Sequence, residues 1–471
     1  MMILTARRLV TELGAWRASG PAYGALADRV RLLALDGRIP LGTRLPAERE
    51  LASELGVSRT TVAAAYARLR EAGYLRSTRG SGSVVTIPGR HSPLEDIEAR
   101  TTTTLDFSKV ALPAAPQVGE ASLRAAQELP AYLGGTGYDL FGLPRLRQVL
   151  AERYTAKGLP TEPGNIMVTL GAQQAISLIT KTFLSRADTA LVETPSYPHA
   201  TDALRLKARK LVPVAVDPRR GWDEHGLAQT FREARPALAY VMPDFHNPTG
   251  AVMPAQQREL LVNLARDHDS LLVADETTAD LCIDGAAGAP LAAYGPALLV
   301  GSMSKTVWGG LRIGWIRAEQ DKIRRLEQSR YAHDLGTPIL EQLIALELLG
   351  QYDEILRYRT VQLREGRDHA EKLLRSHFPH WDVPHVAGGL CIWVNIGDPV
   401  SSQLALAARE GGLPIGAGPR FGLGGAFERF LRFPFGYPEE ETSLAVEILA
   451  DAWRRVEPLR TVGTEFKPAL V

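Results

Sequence analysis

The chain has 471 residues, of which 45% are apolar and 23% charged, so it can bury several cores and is not disordered throughout. No stretch approaches the ~18 apolar residues of a membrane span, and the first residues lack the pattern of a secretory signal. Only two cysteines, Cys282 and Cys391, are present. They exclude a disulfide framework, and both are expected to be buried. The histidines show no metal-ligand spacing, so we expect no metal. Without a membrane span, a secretory signal or a disulfide framework, the expected location is the cytoplasm.

The net charge of +1 is unevenly distributed. Residues 1–88 contain 13 Arg and carry +6, whereas the rest of the chain carries −5. Residues 89–104 contain prolines, charges and a run of four threonines, which is typical of a linker. The sequence therefore predicts three parts, 1–88, 89–104 and 105–471, of which the first meets a polyanion.

The first part has the pattern of short helices followed by a strand pair. Residues 25–38 place apolar side chains on one helical face. Pro46 is expected to open a second helix that Gly56 ends, and Ser58 to cap a third that runs to Gly73. Two strand-like runs then flank a basic, glycine-containing tip. This order predicts a helix-turn-helix with a wing.

Residues 45–85, LPAERELASELGVSRTTVAAAYARLREAGYLRSTRGSGSVV, resemble the winged helix of GntR-type bacterial regulators. The alternative is a generic helical hairpin with solvated arginines. The resemblance implies that operator DNA is a partner, with Arg79 and Gly80 of the wing tip reaching toward the minor groove. The other DNA-contacting residues that it implies are Arg44, Arg49, Ser58, Arg59, Thr60 and Thr61.

The long third part alternates short apolar runs with amphipathic stretches, which predicts an α/β fold with a mainly parallel sheet covered by helices. Within GSMSKTVWGGLRIGW (301–315), Lys305 stands between small residues that let a bulky cofactor approach. A lysine in that setting suits a covalent bond to an aldehyde cofactor. Seven residues later, Arg312 could contact a phosphate through two hydrogen bonds.

Four further positions carry suitable chemistry. The stretch LGAQQAI (170–176) predicts a helix start whose N–H groups face a phosphate. Tyr197 could stack on a planar ring, and the amide of Asn247 could bond a phenolate-like oxygen. Asp275, after an apolar run, could hold a pyridine nitrogen protonated. Taken singly, each position also has an ordinary structural explanation.

In their order and spacing, these motifs resemble the fold-type I pyridoxal-phosphate-dependent aminotransferases (the aspartate aminotransferase superfamily) throughout residues 105–471. The resemblance implies a smaller C-terminal α/β subdomain, pyridoxal 5′-phosphate as cofactor and Lys305 as the Schiff-base lysine. Arg432 would grip the carboxylate of an effector, and Tyr138 would reach the phosphate of a partner subunit. The implied cofactor contacts are Lys305, Asp275, Asn247, Tyr197, Gly171, Ala172, Gln173, Ser302, Ser304, Arg312 and Tyr138.

One position departs from the catalytic members of that superfamily. They carry a tyrosine three residues after the cofactor aspartate, where this chain has Thr278. Threonine is too short to fill the same space, so we expect cofactor binding to persist and any transaminase activity to be vestigial.

A GntR-type winged helix linked to an aminotransferase-like body resembles the MocR subfamily of bacterial regulators. The resemblance implies a homodimeric, DNA-binding transcription regulator that senses an amino compound, or pyridoxal phosphate itself. Two alternatives remain. One is a working aminotransferase with a fused DNA-binding domain, and the other is a regulator whose body serves only as a dimerisation scaffold.

Overall fold

The computed structural model describes residues 3–14, 16–17, 21–78, 82–88, 105–285 and 288–456. Its amino-terminal part is a winged helix with its own apolar core. The two strands of the wing pair antiparallel. The elements are α1 Ala6–Leu13, α2 Ala22–Leu35, α3 Glu48–Leu55, α4 Arg59–Glu71, β1 Leu75–Thr78 and β2 Gly82–Val85.

Local signals explain the tight turn between α3 and α4. Gly56 ends α3 in the left-handed conformation, at φ 63°, and the Oγ of Ser58 accepts the N–H of Thr61 at 3.1 Å to cap α4. Two predicted boundaries were wrong. Pro46 precedes the cap residue of α3 and lies outside the helix, and α4 ends two residues before Gly73.

The body is built on an eight-stranded sheet in the order β3-β10-β9-β8-β7-β4-β5-β6. All strands share one direction except β6 and β10, which are antiparallel to their neighbours. The strands are β3 Ile166–Thr169, β4 Thr189–Thr194, β5 Lys210–Asp217, β6 Gly221–Trp222, β7 Leu238–Val241, β8 Leu271–Asp275, β9 Leu298–Ser302 and β10 Gly314–Arg317.

Helices cover both faces of this sheet, so its central strands are continuous buried apolar runs. Two large apolar clusters fill the space between sheet and helices. This arrangement confirms the predicted α/β class. The helices are α5 Val118–Glu128, α6 Pro144–Ala156, α7 Ala172–Phe183, α8 Pro198–Arg205, α9 Glu224–Ala234, α10 Ala255–Asp267, α11 Gln320–Arg330, α12 Ile339–Leu349 and α13 Tyr352–His377.

The smaller C-terminal subdomain is also confirmed. It contains a three-stranded antiparallel sheet in the order β11-β13-β12. The segment that begins the body joins its core, since Phe107 stacks on Tyr437 with ring centroids 4.3 Å apart. The elements are β11 Cys391–Asn395, α14 Ser401–Glu410, β12 Gly416–Ala417, β13 Phe430–Pro434 and α15 Glu439–Val456. None of the helices in the described ranges is long and apolar enough to cross a bilayer.

The winged helix packs on this smaller subdomain. Helix α2 lies against α14, and Arg31 donates to Glu410 at 3.0 Å. Gly14 lies so near the backbone of Gly424 that an added Cβ would come within 1.9 Å of its carbonyl oxygen. The linker, residues 89–104, lies outside the described residues.

Candidate functional site

The predicted cofactor residues follow different strands, yet they meet at the carboxyl edge of the large sheet, where ligands of open α/β sheets bind. Most of them line one cavity of about 200 Å³. Those in its wall are Ala172, Gln173, Tyr197, Asn247, Asp275, Ser304, Lys305 and Arg312.

Three predicted residues are absent from that wall. Gly171 and Ser302 lie immediately behind it. The hydroxyl of Ser302 donates to Ile313 and accepts the N–H of Ser304. Tyr138 does not line the cavity, and 71% of its surface is exposed. It therefore contributes nothing to the cavity of its own chain.

Lys305 lies between the large sheet and the smaller subdomain. Its Nζ donates to the carbonyl oxygen of Val110. Removal from water and the nearby Arg432 lower the pKa of Lys305 to about 8, although Asp275 opposes the shift. At neutral pH this amine is deprotonated far more often than an ordinary lysine, which prepares it to attack an aldehyde.

Asp275 ends β8 and is held in place by two donors. Its Oδ2 accepts the hydroxyl of Tyr240 at 2.6 Å, and its Oδ1 accepts the backbone N–H of Thr277 at 3.0 Å. Burial raises the pKa of this carboxyl, while both donors lower it. Sequence reasoning missed Tyr240, because a tyrosine inside an apolar strand carries no sign of a partner on the next strand.

One side of the cavity is a cradle of backbone and arginine donors that suits an anion. Gly171 has φ 83° and precedes the first residue of α7, so the free N–H groups of that helix face the cavity. Arg312 donates to the carbonyl oxygen of Leu170 at 2.8 Å. A Cβ on Gly171 would lie 2.8 Å from the Arg312 guanidinium. A side chain there would displace the guanidinium, and the positive φ of Gly171 also favours glycine.

Thr278 has a different role from the tyrosine it replaces. It lies in the cavity wall, but its hydroxyl donates to the backbone carbonyl of Asp244 at 2.8 Å. Asn247 remains as the amide available to a phenolate-like oxygen, and the Sγ of Cys391 lies 3.8 Å from its Oδ1. Cys391 is buried as expected. The same expectation for Cys282 was wrong, because its thiol donates to the backbone carbonyl of Asp284 at a partly exposed site.

Arg432 lies in β13 and is 6% exposed. Its Nη2 donates to the carbonyl oxygen of Ser108 at 2.5 Å, and its guanidinium stacks on Phe421 at 4.7 Å. Its buried Nε has no hydrogen-bond partner among the described residues. Burial lowers the pKa of Arg432. A buried donor of this kind is costly unless a ligand satisfies it.

These groups fit pyridoxal phosphate. The cavity combines an amine of lowered pKa, a buried carboxylate, an amide, an aromatic ring and an anion cradle. The unpartnered Nε of Arg432 adds a donor for a carboxylate near the amine. Among the described residues, no cluster of three or more His, Cys, Asp or Glu side chains could hold a metal ion.

The candidate DNA interface lies on the winged helix. Ser58, Arg59 and Thr60 are exposed at the first turn of α4 and Thr61 is half-buried. Hydroxyl contacts of 2.7 and 2.8 Å link Ser58 to the two threonines. Arg59 is 74% exposed and its Nε lies 3.9 Å from Glu48, so it can reach a groove.

The other residues predicted to contact DNA differ in where they lie. Arg49 is exposed on α3, and Arg44 bridges to Val84 beside the wing. Arg79 and Gly80, predicted at the wing tip, lie outside the described residues.

The fold and the two sites define a class of protein in which a winged helix is joined to a fold-type I body. Residues 108–449 match the model of the family described as aminotransferase class I and II, and the chain belongs to that family. Residues 22–85 match the model of bacterial regulatory proteins of the gntR family. This fusion is the arrangement of the MocR-type subfamily of GntR transcriptional regulators.

Two relatives that match over most of this chain are named as transcriptional regulators. The chain is 29% identical over 433 residues to the HTH-type pyridoxine biosynthesis transcriptional regulator PdxR of Corynebacterium glutamicum, covering 88% of this chain and 92% of the relative. It is 27% identical over 423 residues to the uncharacterized HTH-type transcriptional regulator YdfD of Bacillus subtilis, covering 82% and 86%.

Among solved structures, the body is similar to LysN, the alpha-aminoadipate aminotransferase of Thermus thermophilus complexed with N-(5′-phosphopyridoxyl)-L-leucine. The TM-score is 0.70 at 26% identity, covering 79% of this chain and 96% of that chain. The match concerns the body, while the regulator relatives extend over most of both chains.

Proposed function

We propose that the protein is a transcription regulator that binds operator DNA through its winged helix and senses an amino compound through pyridoxal phosphate in its body. One observation carries the proposal. The winged helix packs on the same subdomain that supplies Arg432 to a cavity adjoining the cofactor cavity, and Lys305 lines both cavities. A change at the cavity can therefore reach the DNA-binding surface through this subdomain. A regulator of bacterial genes acts in the cytoplasm, where the DNA lies.

Pyridoxal phosphate supplies an aldehyde that reacts with amines and a ring that withdraws electrons. Lys305 would hold it covalently, and the backbone start of α7 with Ser304 and Arg312 would hold its phosphate. Tyr240 and Thr277 keep the carboxylate of Asp275 aimed at the cavity. Tyr197 lies in the wall, where its ring can stack on the cofactor.

An incoming effector with an acidic group competes for donors of Arg432 that the protein now uses itself. Arg432 donates to the carbonyl oxygen of Ser108, which lies in the segment that directly follows the linker, residues 89–104. Lys305 donates to Val110 of the same segment only as a free amine. When the effector takes the Arg432 donor, the segment loses that contact to the site. The ligand shifts the winged helix only by its difference in affinity for the two arrangements.

An aminotransferase that also binds DNA is the second candidate. The observation in its favour is that Lys305, Asp275, Arg312 and Arg432 are all present and lie at or beside the cavity. Against it, the Thr278 hydroxyl is engaged by Asp244. Sustained transfer of amino groups to a 2-oxo acid would favour the enzyme, and spectral change without turnover favours the regulator.

We further propose that the protein is a homodimer. Tyr138 is excluded from its own cavity and exposed, which suits a side chain that serves a partner subunit. Large apolar side chains of the body are also exposed, as expected for a surface that a second copy covers. They include Leu133, Leu206 and Tyr331. Light scattering at micromolar concentration should give the mass of a dimer, and a monomer would contradict the proposal.

The test of the proposed function combines two measurements on one preparation. The visible absorbance of the purified protein is recorded with pyridoxal phosphate and then with a panel of amines and amino acids. Affinity for operator DNA is measured at each point. We expect that a compound that changes the spectrum also changes DNA affinity, and that Lys305→Ala loses both responses. The proposal would be contradicted if compounds change the spectrum and none of them changes the affinity for DNA.

A further inference from the structure

A second cavity, of about 430 Å³, lies at the mouth of the cofactor cavity, and both the winged helix and the body line it. Lys305 and Arg432 form part of its wall beside the cofactor cavity. The wall also includes Arg409 and Arg420 from the smaller subdomain and Asp36, the cap residue of α2. The cavity thus connects the cofactor amine directly to the winged helix.

Positive charge dominates this cavity. The described residues of its wall include Lys109, Lys305, Arg409, Arg420 and Arg432, and Asp36 is the acidic residue among them. Asp36 is exposed, and four arginines, Arg420 first among them, lie close enough for their charge to favour the ionised form of its carboxyl. Lys109 pairs with Asp106 at 2.8 Å, so Arg409, Arg420 and Arg432 are the arginines that Asp36 alone cannot neutralise.

The two outer arginines are available to a ligand. Arg420 contacts Asp202 only across 3.7 Å, and Arg409 forms no ion pair within 4 Å among the described residues. Arg432 is close enough to Arg420 for the charge of Arg420 to lower the pKa of Arg432. With its unpartnered Nε, Arg432 marks one place for an acidic group, and Arg420 marks another further out.

We propose that Arg420, assisted by Arg409, forms a second anion subsite, so that the effector is an amino acid with a second acidic group on its side chain. This inference rests on the proposed function, in which Arg432 takes the α-carboxylate. Asp36 faces the same cations when no ligand is bound, so the ligand's second acid competes with a carboxylate of the winged helix.

This competition gives the effector a route to the DNA-binding part. Asp36 ends α2, the helix that packs on α14 and also against the recognition helix α4. An acid at Arg420 weakens the attraction between the end of α2 and the body. An amino acid without a side-chain acid leaves that attraction in place.

The experiment compares two amino acids of equal carbon number, L-glutamate and L-norvaline, on full-length protein loaded with pyridoxal phosphate. L-2-Aminoadipate and L-norleucine form a second pair, one carbon longer. Binding is followed by visible absorbance. We expect the acidic member of at least one pair to bind about 10-fold more tightly or better, as one charged hydrogen bond allows. Arg420→Gln should abolish this preference and leave the affinity for the neutral amino acid unchanged.

Two further variants make the result specific. Arg219→Gln, which removes an exposed arginine that pairs with Asp382 at 2.5 Å and does not line this cavity, is the matched control and should keep the preference. Asp36→Asn should tighten binding of the acidic amino acid several-fold and leave the neutral one unchanged. Glutarate should raise the melting temperature of cofactor-free protein, and less so in Arg420→Gln, which provides a readout without the cofactor.

The outcomes separate this inference from the proposed function. Spectral responses to amino acids without any preference for the acidic member would overturn the second subsite and leave the proposed function standing. The same conclusion follows if Arg420→Gln weakens acidic and neutral amino acids equally. If no amino compound of any class changes the spectrum, both the subsite and the proposed sensing are wrong.

Discussion

Arg31 on α2 donates to Glu410 at the end of α14 across 3.0 Å, and this ion pair joins the winged helix to the subdomain that carries Arg432. Arg31 is largely buried against the ring of Tyr74, 4.9 Å away, whereas Glu410 is half exposed. Because one partner is solvated, we expect the pair to contribute less than about 1 kcal/mol to stability. Its importance lies in the position that it gives the winged helix.

Reversing one charge should release the winged helix from the body. In Glu410→Lys, a cation would face Arg31, and like charges at this distance repel. We expect a larger radius of gyration in small-angle X-ray scattering, with melting temperature nearly unchanged. The double variant Arg31→Glu, Glu410→Lys should restore the compact profile. An unchanged profile in Glu410→Lys would show that the ion pair does not hold the winged helix in place.

Capture of pyridoxal phosphate should depend on pH through Lys305. The neutral amine reacts with an aldehyde, and the pKa of Lys305 is lowered to about 8 by burial. The neutral fraction, and with it the rate of capture, should rise about tenfold per pH unit up to pH ~8 and then level off. Stopped-flow absorbance measures this rate, and borohydride followed by peptide mass analysis locates the bond.

Two results would contradict this assignment. One is a rate that still rises tenfold per unit between pH 9 and 10, which would indicate a lysine of ordinary pKa. The other is a covalent adduct of normal yield in Lys305→Ala, which would place the bond on a different residue.

Tyr240→Phe should weaken cofactor binding through Asp275. The variant removes a hydrogen bond of 2.6 Å to a buried carboxylate, and such a bond contributes about 1.5–3 kcal/mol. We expect affinity for pyridoxal phosphate to fall on the order of 10-fold, with a shift in the visible maximum. Both are measured by spectrophotometric titration of the cofactor-free variant.

The matched control is Tyr154→Phe. Tyr154 is also buried, and its hydroxyl accepts the indole N–H of Trp315 at 3.0 Å, away from the cofactor cavity. Both variants should lose stability, and only Tyr240→Phe should lose cofactor affinity. Equal cofactor affinity in the two variants would show that Tyr240 has a structural role only.

The sequence predicted elements whose signals are local. Neighbouring residues were enough to predict the cap at Ser58, the helix end at Gly56 and the alternation of apolar runs in the body. The structure contains each of them. The exact helix boundaries were harder to predict. Pro46 suits both the first turn of a helix and the residues before it, and the structure places it outside.

Contacts between distant segments could not be predicted. Ser108 and Arg432 are 324 positions apart, and nothing in either local pattern indicates their hydrogen bond. The same holds for Tyr240 beside Asp275, and for Asp36 in a cavity with Arg420. These pairs depend on the strand order and on how the winged helix packs. Neither can be deduced from local patterns in a single sequence. Lys305 could be proposed as the cofactor lysine because its small neighbours are adjacent in sequence, and the structure places it in the cavity wall.

The proposed function depends most directly on DNA recognition by the first turn of α4. Full-length protein loaded with pyridoxal phosphate is used to select fragments from genomic DNA, and affinity for the enriched fragment is measured by fluorescence anisotropy. Arg59→Ala should weaken binding by about 1–3 kcal/mol, on the order of 10-fold to 100-fold. Arg266→Ala, an exposed arginine of the body, should bind like the parent. If no fragment is enriched, or if Arg59→Ala binds the enriched fragment as tightly as the parent, the protein does not read DNA through this helix.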